Sequence, residues 1–151
     1  MTKGLDRVAR VVRHFDASPE RVFDAWLDPR EASKWLFTSP TSATHSTLID
    51  ARVGGAWTIT DRREGTNYTA VGTYLEIDRP RRLVFDFGMP QFSPEFSRVV
   101  VELASEGKGC VLTLIQEPVP PEAVEGATEG WRQMLEALDA ILAQVRAESV
   151  R

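Results

Sequence analysis

Cysteine occurs once in this chain of 151 residues, at Cys110, which excludes an internal disulfide and a cysteine-rich zinc site. Histidine is nearly as scarce. With only His14 and His45 present there is no recurrent metal-ligand spacing, and no bound metal is expected. Long apolar runs are missing: nothing approaches the roughly 18 consecutive apolar residues that span a bilayer. The opening Met1-Thr2-Lys3-Gly4-Leu5-Asp6 also lacks the oily centre of a secretion signal, so the expected location is the cytoplasm, away from membranes. Positive charge is in deficit. Eighteen lysines and arginines against 22 acids leave a net charge of -4, without the broad cationic field that nucleic acid requires. What remains, 42% hydrophobic and 26% charged residues, is the composition of a globular chain able to bury a core, and the length suits one domain over 1–151.

Catalytic and cofactor signatures are missing as well. No serine sits in a Gly-x-Ser-x-Gly elbow, and Gly54-Gly55 satisfies neither the Walker A nor the dinucleotide pattern; it reads as a turn. No catalytic residue and no cofactor is therefore assigned.

The valine-rich segment 7–15 reads as a strand, with Val11 and Phe15 in one phase and Val8, Val12 and His14 in the other. Ser18-Pro19-Glu20 supplies an N-cap, a first-turn proline and a first-turn acid, and Val22, Phe23, Trp26 and Leu27 follow at helical spacing. Asp28-Pro29-Arg30-Glu31 has the spacing of a capping box and opens a second short helix towards Ala32, Trp35 and Leu36. Segment 37–46, dominated by serine, threonine and proline, reads as a loop. Strand patterns then occupy 47–53, 56–62, 67–77, 82–87, 96–104 and 110–116. The connections at Gly54-Gly55, Glu64-Gly65, Arg79-Pro80-Arg81 and Glu106-Gly107-Lys108-Gly109 are too short for anything but antiparallel neighbours.

Alternation places Trp57 and Ile59, Leu75 and Ile77, Leu83 with Phe85 and Phe87, Val99 with Val101 and Leu103, and Leu112 with Leu114 on one oily face. A bulge at Gly72 would shift that phase and turn Tyr74 inward. After Pro118, Pro120 and Pro121 a helix is predicted from about 122 or 128 to 147. Its stripe of Trp131, Met134, Leu135, Leu138, Ile141, Leu142 and Val145 is long enough to cover the sheet. This is an α+β layout: a curved antiparallel sheet wrapped around a long C-terminal helix, with two short helices after the first strand.

Several residues in this order carry a resemblance: Arg13-x-Phe15-x-Ala17-x-Pro19, Val22-Phe23-x-Ala25-x-x-Asp28-Pro29, Gly54-Gly55-x-Trp57, Pro80-x-Arg82-Leu83-Val84-Phe85, and Gly130-Trp131 with Leu135 and Leu138. The chain resembles, from about 8 to 142, the heat shock protein 90 ATPase activator-like family. That family belongs to the START-like (SRPBCC) superfamily of the birch pollen allergen fold, polyketide cyclases and aromatic-ring hydroxylase domains. The resemblance implies a helix-grip fold whose cavity takes an apolar small molecule. The eukaryotic activators that name the family carry a further N-terminal domain for which this length leaves no room, so chaperone activation does not carry over. Fold by itself assigns no reaction.

The expected function is binding of a small, mainly apolar ligand between helix and sheet. The candidate wall comprises Trp35, Trp57, Ile59, Thr73, Phe85, Phe87, Val99, Val101, Leu112, Leu114, Trp131, Met134, Leu135 and Leu138. The competing reading of the same residues is a filled core, since a helix needs an oily stripe to dock whether or not a hole remains. Asp61, Thr73, Ser97 and Gln116 share the oily phase and are candidate orienting groups, or else rim residues. An alternative is an enzyme of polyketide cyclase or dehydratase type using the same cavity, which needs a titratable group such as Asp61 or His14 pointing inward. Another is a protein-interaction domain with a chaperone partner; homodimer formation stays open.

Overall fold

The structure, a computed structural model, describes residues 7–38 and 44–150. Its elements follow the predicted order: β1 (Ala9–Phe15), α1 (Pro19–Leu27), α2 (Pro29–Ala32), β2 (Thr44–Ile49), β3 (Ala56–Arg63), β4 (Thr66–Asp78), β5 (Arg82–Phe87), β6 (Ser97–Glu106), β7 (Gly109–Glu117) and α3 (Val124–Val150). A single 3-10 turn at Pro121–Ala123 leads into α3. The seven strands form one curved antiparallel sheet in the order β1-β7-β6-β5-β4-β3-β2. Strands β2 to β7 are joined neighbour to neighbour, while α1 and α2 carry the chain from β1 at one edge to β2 at the other.

The turns set the registers. Glu64 and Gly65, at φ +50° and +80°, form a two-residue hairpin that pairs Arg63 with Thr66, and therefore Asp61 with Tyr68. Gly107 at φ +60° does the same between β6 and β7.

Ser18 caps α1 by accepting the Arg21 N–H at 3.1 Å, as predicted. The capping box at α2 is half formed. Asp28 Oδ1 accepts the Arg30 N–H at 2.9 Å, but Glu31 is held by the Arg21 guanidinium through two bonds of 3.0 and 2.6 Å instead of reaching back. Helix α2 stops at Ala32, so Trp35 and Leu36 lie on the turn that follows it.

Three further expectations are corrected. Strand β2 runs over Thr44–Ile49, earlier than the predicted 47–53, and 44–46 leave the predicted loop; 39–43 lie outside the described residues. Leu75 points outward and is 41% exposed, while Tyr74 is buried. The cause is a register shift between Tyr74 and Glu76 opposite β5, so the inward phase runs Ala70, Gly72, Tyr74 and then skips to Ile77. Thr73 is accordingly on the outer face. Its hydroxyl donates to Asp86 Oδ2 at 3.1 Å, and its N–H to Asp86 Oδ1 at 2.7 Å.

Helix α3 has 27 residues, about 40 Å at 1.5 Å per residue, and buries Trp131, Leu135, Leu138 and Leu142 against the sheet. Two polar contacts fix its placement. Arg13 of β1 donates to Asp139 at 2.9 Å, and the buried Trp131 indole N–H donates to Gln116 Oε1 at 2.8 Å. Gln116 Nε2 in turn donates to Ser97 Oγ at 3.2 Å, and the Ser97 hydroxyl donates to the Pro118 carbonyl at 2.8 Å. No helix among the described residues is long and apolar enough to cross a membrane.

Candidate functional site

The middle of the grip is filled. Trp131 meets Trp26 at 6.1 Å and Phe37 at 5.4 Å between ring centres. Trp26 meets the Trp35 edge at 4.7 Å, and the Trp35 indole donates to the Ala25 carbonyl at 3.2 Å. Of the predicted wall, Trp35, Val99, Val101, Leu112, Leu114, Trp131, Leu135 and Leu138 are all buried in this continuous cluster. Around Trp131 these residues follow the filled-core reading. Trp57, Ile59 and Phe85 border an internal void of about 10 Å³, at the lower limit for one water. Tyr74 lines the same void, and burial pushes its phenol pKa upward, with Asp50 adding to the shift.

Phe37, partly buried, closes the edge of this cluster. Its ring stacks on Phe87 at 5.0 Å and on Trp57 at 5.4 Å. Its backbone sits at φ +53°, a region costly for a residue with a Cβ, and its N–H points at Met134 Sδ, 3.0 Å away. Nothing in a serine- and threonine-rich stretch signalled a core aromatic.

Beyond Phe37 the interior opens. A cleft of about 210 Å³ lies where the start of α3 parts from β3 and β4. Gly130, Gln133 and Met134 form its helical wall; Asp61, Arg63, Tyr68 and Ala70 form the sheet wall; Phe37 closes the inner end, with Thr38 and Met89 at the sides. Met89 is delivered by the β5–β6 loop. That loop is tied to β4 by the Gln91 side chain, which accepts the Thr69 N–H at 3.0 Å and donates to the Asn67 carbonyl at 3.1 Å, in place of a neighbouring strand. Among the predicted wall residues Met134 alone lines this cleft, and of the predicted orienting groups Asp61 alone does so.

Asp61 is the chemically unusual member. It is 1% exposed, and Arg63 Nε stands 2.9 Å from Oδ2 but off the line of a hydrogen bond. Both carboxylate oxygens and the Arg63 Nε–H are thus buried without a hydrogen-bond partner among the described residues. The Arg63 guanidinium lies 4.2 Å over the Tyr68 ring, and Tyr68 stacks on Phe92 at 5.9 Å. The sequence did contain the signal for this grouping: period-two alternation puts Asp61 and Arg63 on one face, and the Glu64-Gly65 turn sets Tyr68 opposite Asp61.

The other titratable candidate, His14, projects from the outer face with its side chain 46% exposed, 3.8 Å from Asp16 and 3.6 Å from Glu106. Cys110 is fully buried, and burial pushes its thiol up to about 11, with the charge of Glu20 adding to the shift. Among the described residues no group of three or more His, Cys, Asp or Glu side chains could hold a metal ion.

The comparisons with known proteins agree with this architecture. Among curated proteins no relative matches. Among solved structures the chain is similar to protein CV1439 from Chromobacterium violaceum, with 31% identity, 89% of this chain and 96% of that one covered, and a TM-score of 0.83. A solution structure from Arthrobacter aurescens is 25% identical, with 93% and 88% covered and a TM-score of 0.80. The AHSA1-like protein from Aeromonas hydrophila, at 21% identity, 91% and 93% coverage and a TM-score of 0.77, shares the fold. The model of the family described as Activator of Hsp90 ATPase homolog 1-like protein matches residues 16–143, and the chain belongs to that family.

Proposed function

We propose that the protein binds a small, mainly apolar molecule in the cleft between the start of α3 and strands β3 and β4. The observation that carries this reading is the cleft itself. It is the continuation of the helix–sheet interface past the Phe37 plug, walled by Met89, Met134 and Ala70, with a buried carboxylate in its floor. At about 210 Å³ it falls below the roughly 300–1,000 Å³ of drug-sized pockets, which favours a guest of one or two fused rings over a sterol or a full lipid. The cyclase-type alternative finds one of its two named groups, Asp61, at the cleft, and the other, His14, on the opposite side of the sheet. Binding asks less of the site than such a reaction does.

Gly130 provides the test. A Cβ built there meets open space, so Gly130→Leu places an isobutyl group in the cleft while improving helix propensity by up to about 1 kcal/mol. Thermal shift and native mass spectrometry against one- and two-ring aromatics should give saturable binding to the wild type. Gly130→Leu should lose that binding with its unfolding temperature unchanged or raised. No saturable ligand, or ligands that bind Gly130→Leu equally well, would overturn the reading.

A further inference from the structure

We propose that Asp61 is the polar anchor of this cleft and that the guest is a neutral molecule presenting a hydrogen-bond donor, an alcohol, phenol or amide N–H, on an apolar body. The inference rests on the cleft being a binding site, and three observations carry it.

The first is an unused acceptor. An ionised carboxylate offers about four lone-pair positions, and buried polar atoms almost always find a partner. Asp61 has its side chain 2% exposed and accepts no hydrogen bond through either oxygen from the described residues. Arg63 Nε stands 2.9 Å from Oδ2 and supplies charge without hydrogen-bond geometry, and that N–H has no hydrogen-bond partner among the described residues. A donor arriving from the cleft would complete a coordination that the protein leaves open.

The second is charge. Asp61 and Arg63 form a nearly neutral pair at one spot in the cleft wall. A guest anion would face the carboxylate and a guest cation would face the guanidinium, each at a few ångströms in a desolvated setting where like charges repel strongly. A neutral donor escapes both.

The third is access. Arg63, with its Nε 2.9 Å from Oδ2, is 38% exposed, and its guanidinium is held over the Tyr68 ring while the Nε–H makes no hydrogen bond among the described residues. A long, half-exposed arginine is the part of this wall most readily moved, and the Tyr68 face is where it already rests. Of the remaining wall, Phe37, Ala70, Met89 and Met134 offer apolar contact to the body of the guest, and Thr38 and Gln133 are its other polar side chains.

Isothermal titration with four matched probes tests this: 2-naphthol, its methyl ether 2-methoxynaphthalene, 2-naphthoate and 2-naphthylmethylammonium. The methyl ether keeps the ring and the oxygen and removes only the donor. A hydrogen bond to a carboxylate should make 2-naphthol bind the wild type about 10- to 100-fold more tightly than the ether, with both charged probes weaker than 2-naphthol. In Asp61→Leu the naphthol preference should shrink to within about twofold, and in the isosteric Asp61→Asn, which keeps an acceptor but no charge, to a few-fold. Equal wild-type binding of 2-naphthol and its ether, tightest binding of a charged probe, or a preference that survives in Asp61→Leu would overturn the anchor and leave the cleft standing as a binding site. Absence of saturable binding by all four would overturn both. Should Asp61→Leu fail to fold, the wild-type probe pair and Asp61→Asn still decide.

Discussion

Phe37 separates the void of about 10 Å³ from the cleft of about 210 Å³, and it lines both. Replacing it with alanine removes one ring stacked on Trp57 and Phe87 and set edge-on to Trp131. A fully buried Phe→Ala change costs about 3–5 kcal/mol. Phe37 is only partly buried, so the expected loss is about 2–3 kcal/mol, a fall of roughly 4–12 °C in unfolding temperature for a chain of this size. Phe37→Gly separates packing from backbone strain. Glycine adopts φ +53° at no steric cost, which recovers about 1–2 kcal/mol against a chain-entropy penalty of about 0.5–1 kcal/mol, so Phe37→Gly should be at least as stable as Phe37→Ala. Both variants join the void to the cleft and should bind three-ring aromatics that the wild type refuses. Urea unfolding measures the first effect and calorimetry with anthracene-sized ligands the second. A Phe37→Ala loss below about 1 kcal/mol together with an unchanged upper limit on ligand size would refute the assignment of Phe37 as the plug.

Gln116→Leu leaves the buried Trp131 indole N–H and the Ser97 hydroxyl without their shared partner, and chemical denaturation should register a loss of about 1–3 kcal/mol. Gly72→Ala should be worse tolerated than its small size suggests, since a Cβ there collides with the Asp86 carbonyl and the Trp57 indole; a soluble variant with wild-type unfolding temperature would contradict the close packing of β4 on β3. Cys110 gives a pH signature. Its folded thiol titrates near 11 against an ordinary value near 9, so the unfolded chain loses the proton first, and stability should fall as pH rises between those values by about 1.4 kcal/mol per unit. The raised Tyr74 phenol acts in the same direction, and Cys110→Ala should flatten the slope measured by urea unfolding at pH 8 to 10.5.

Sequence reading recovered the layout because the strongest signals are local and periodic. Short glycine turns force antiparallel pairing, and the α3 stripe repeats over several turns of helix. It failed where one residue acts against its surroundings. The register shift after Tyr74 reverses the phase at Leu75 and puts Thr73 on the outer face, and no residue type marks a bulge unambiguously. Phe37 sits at the edge of a polar stretch, and its burial depends on a left-handed backbone that composition does not encode. The residues of the candidate wall lie mostly in the middle of the grip, where Trp26, Trp131 and Phe37 pack ring against ring, as the filled-core reading of them has it, and the open end depends on tertiary packing. Met89 reaches that end from a loop whose position depends on the Gln91 side chain, a tertiary contact with no periodicity.

The chain has three methionines, and two of them, Met89 and Met134, belong to the cleft wall. Selective ¹³C-methyl labelling of methionine, with the two signals assigned through Met89→Leu and Met134→Leu, reads the site directly during titration with 2-naphthol. Both signals should move together along one saturation curve with the affinity that calorimetry gives. Calorimetric binding that leaves Met89 and Met134 unmoved would put the guest elsewhere and contradict the account.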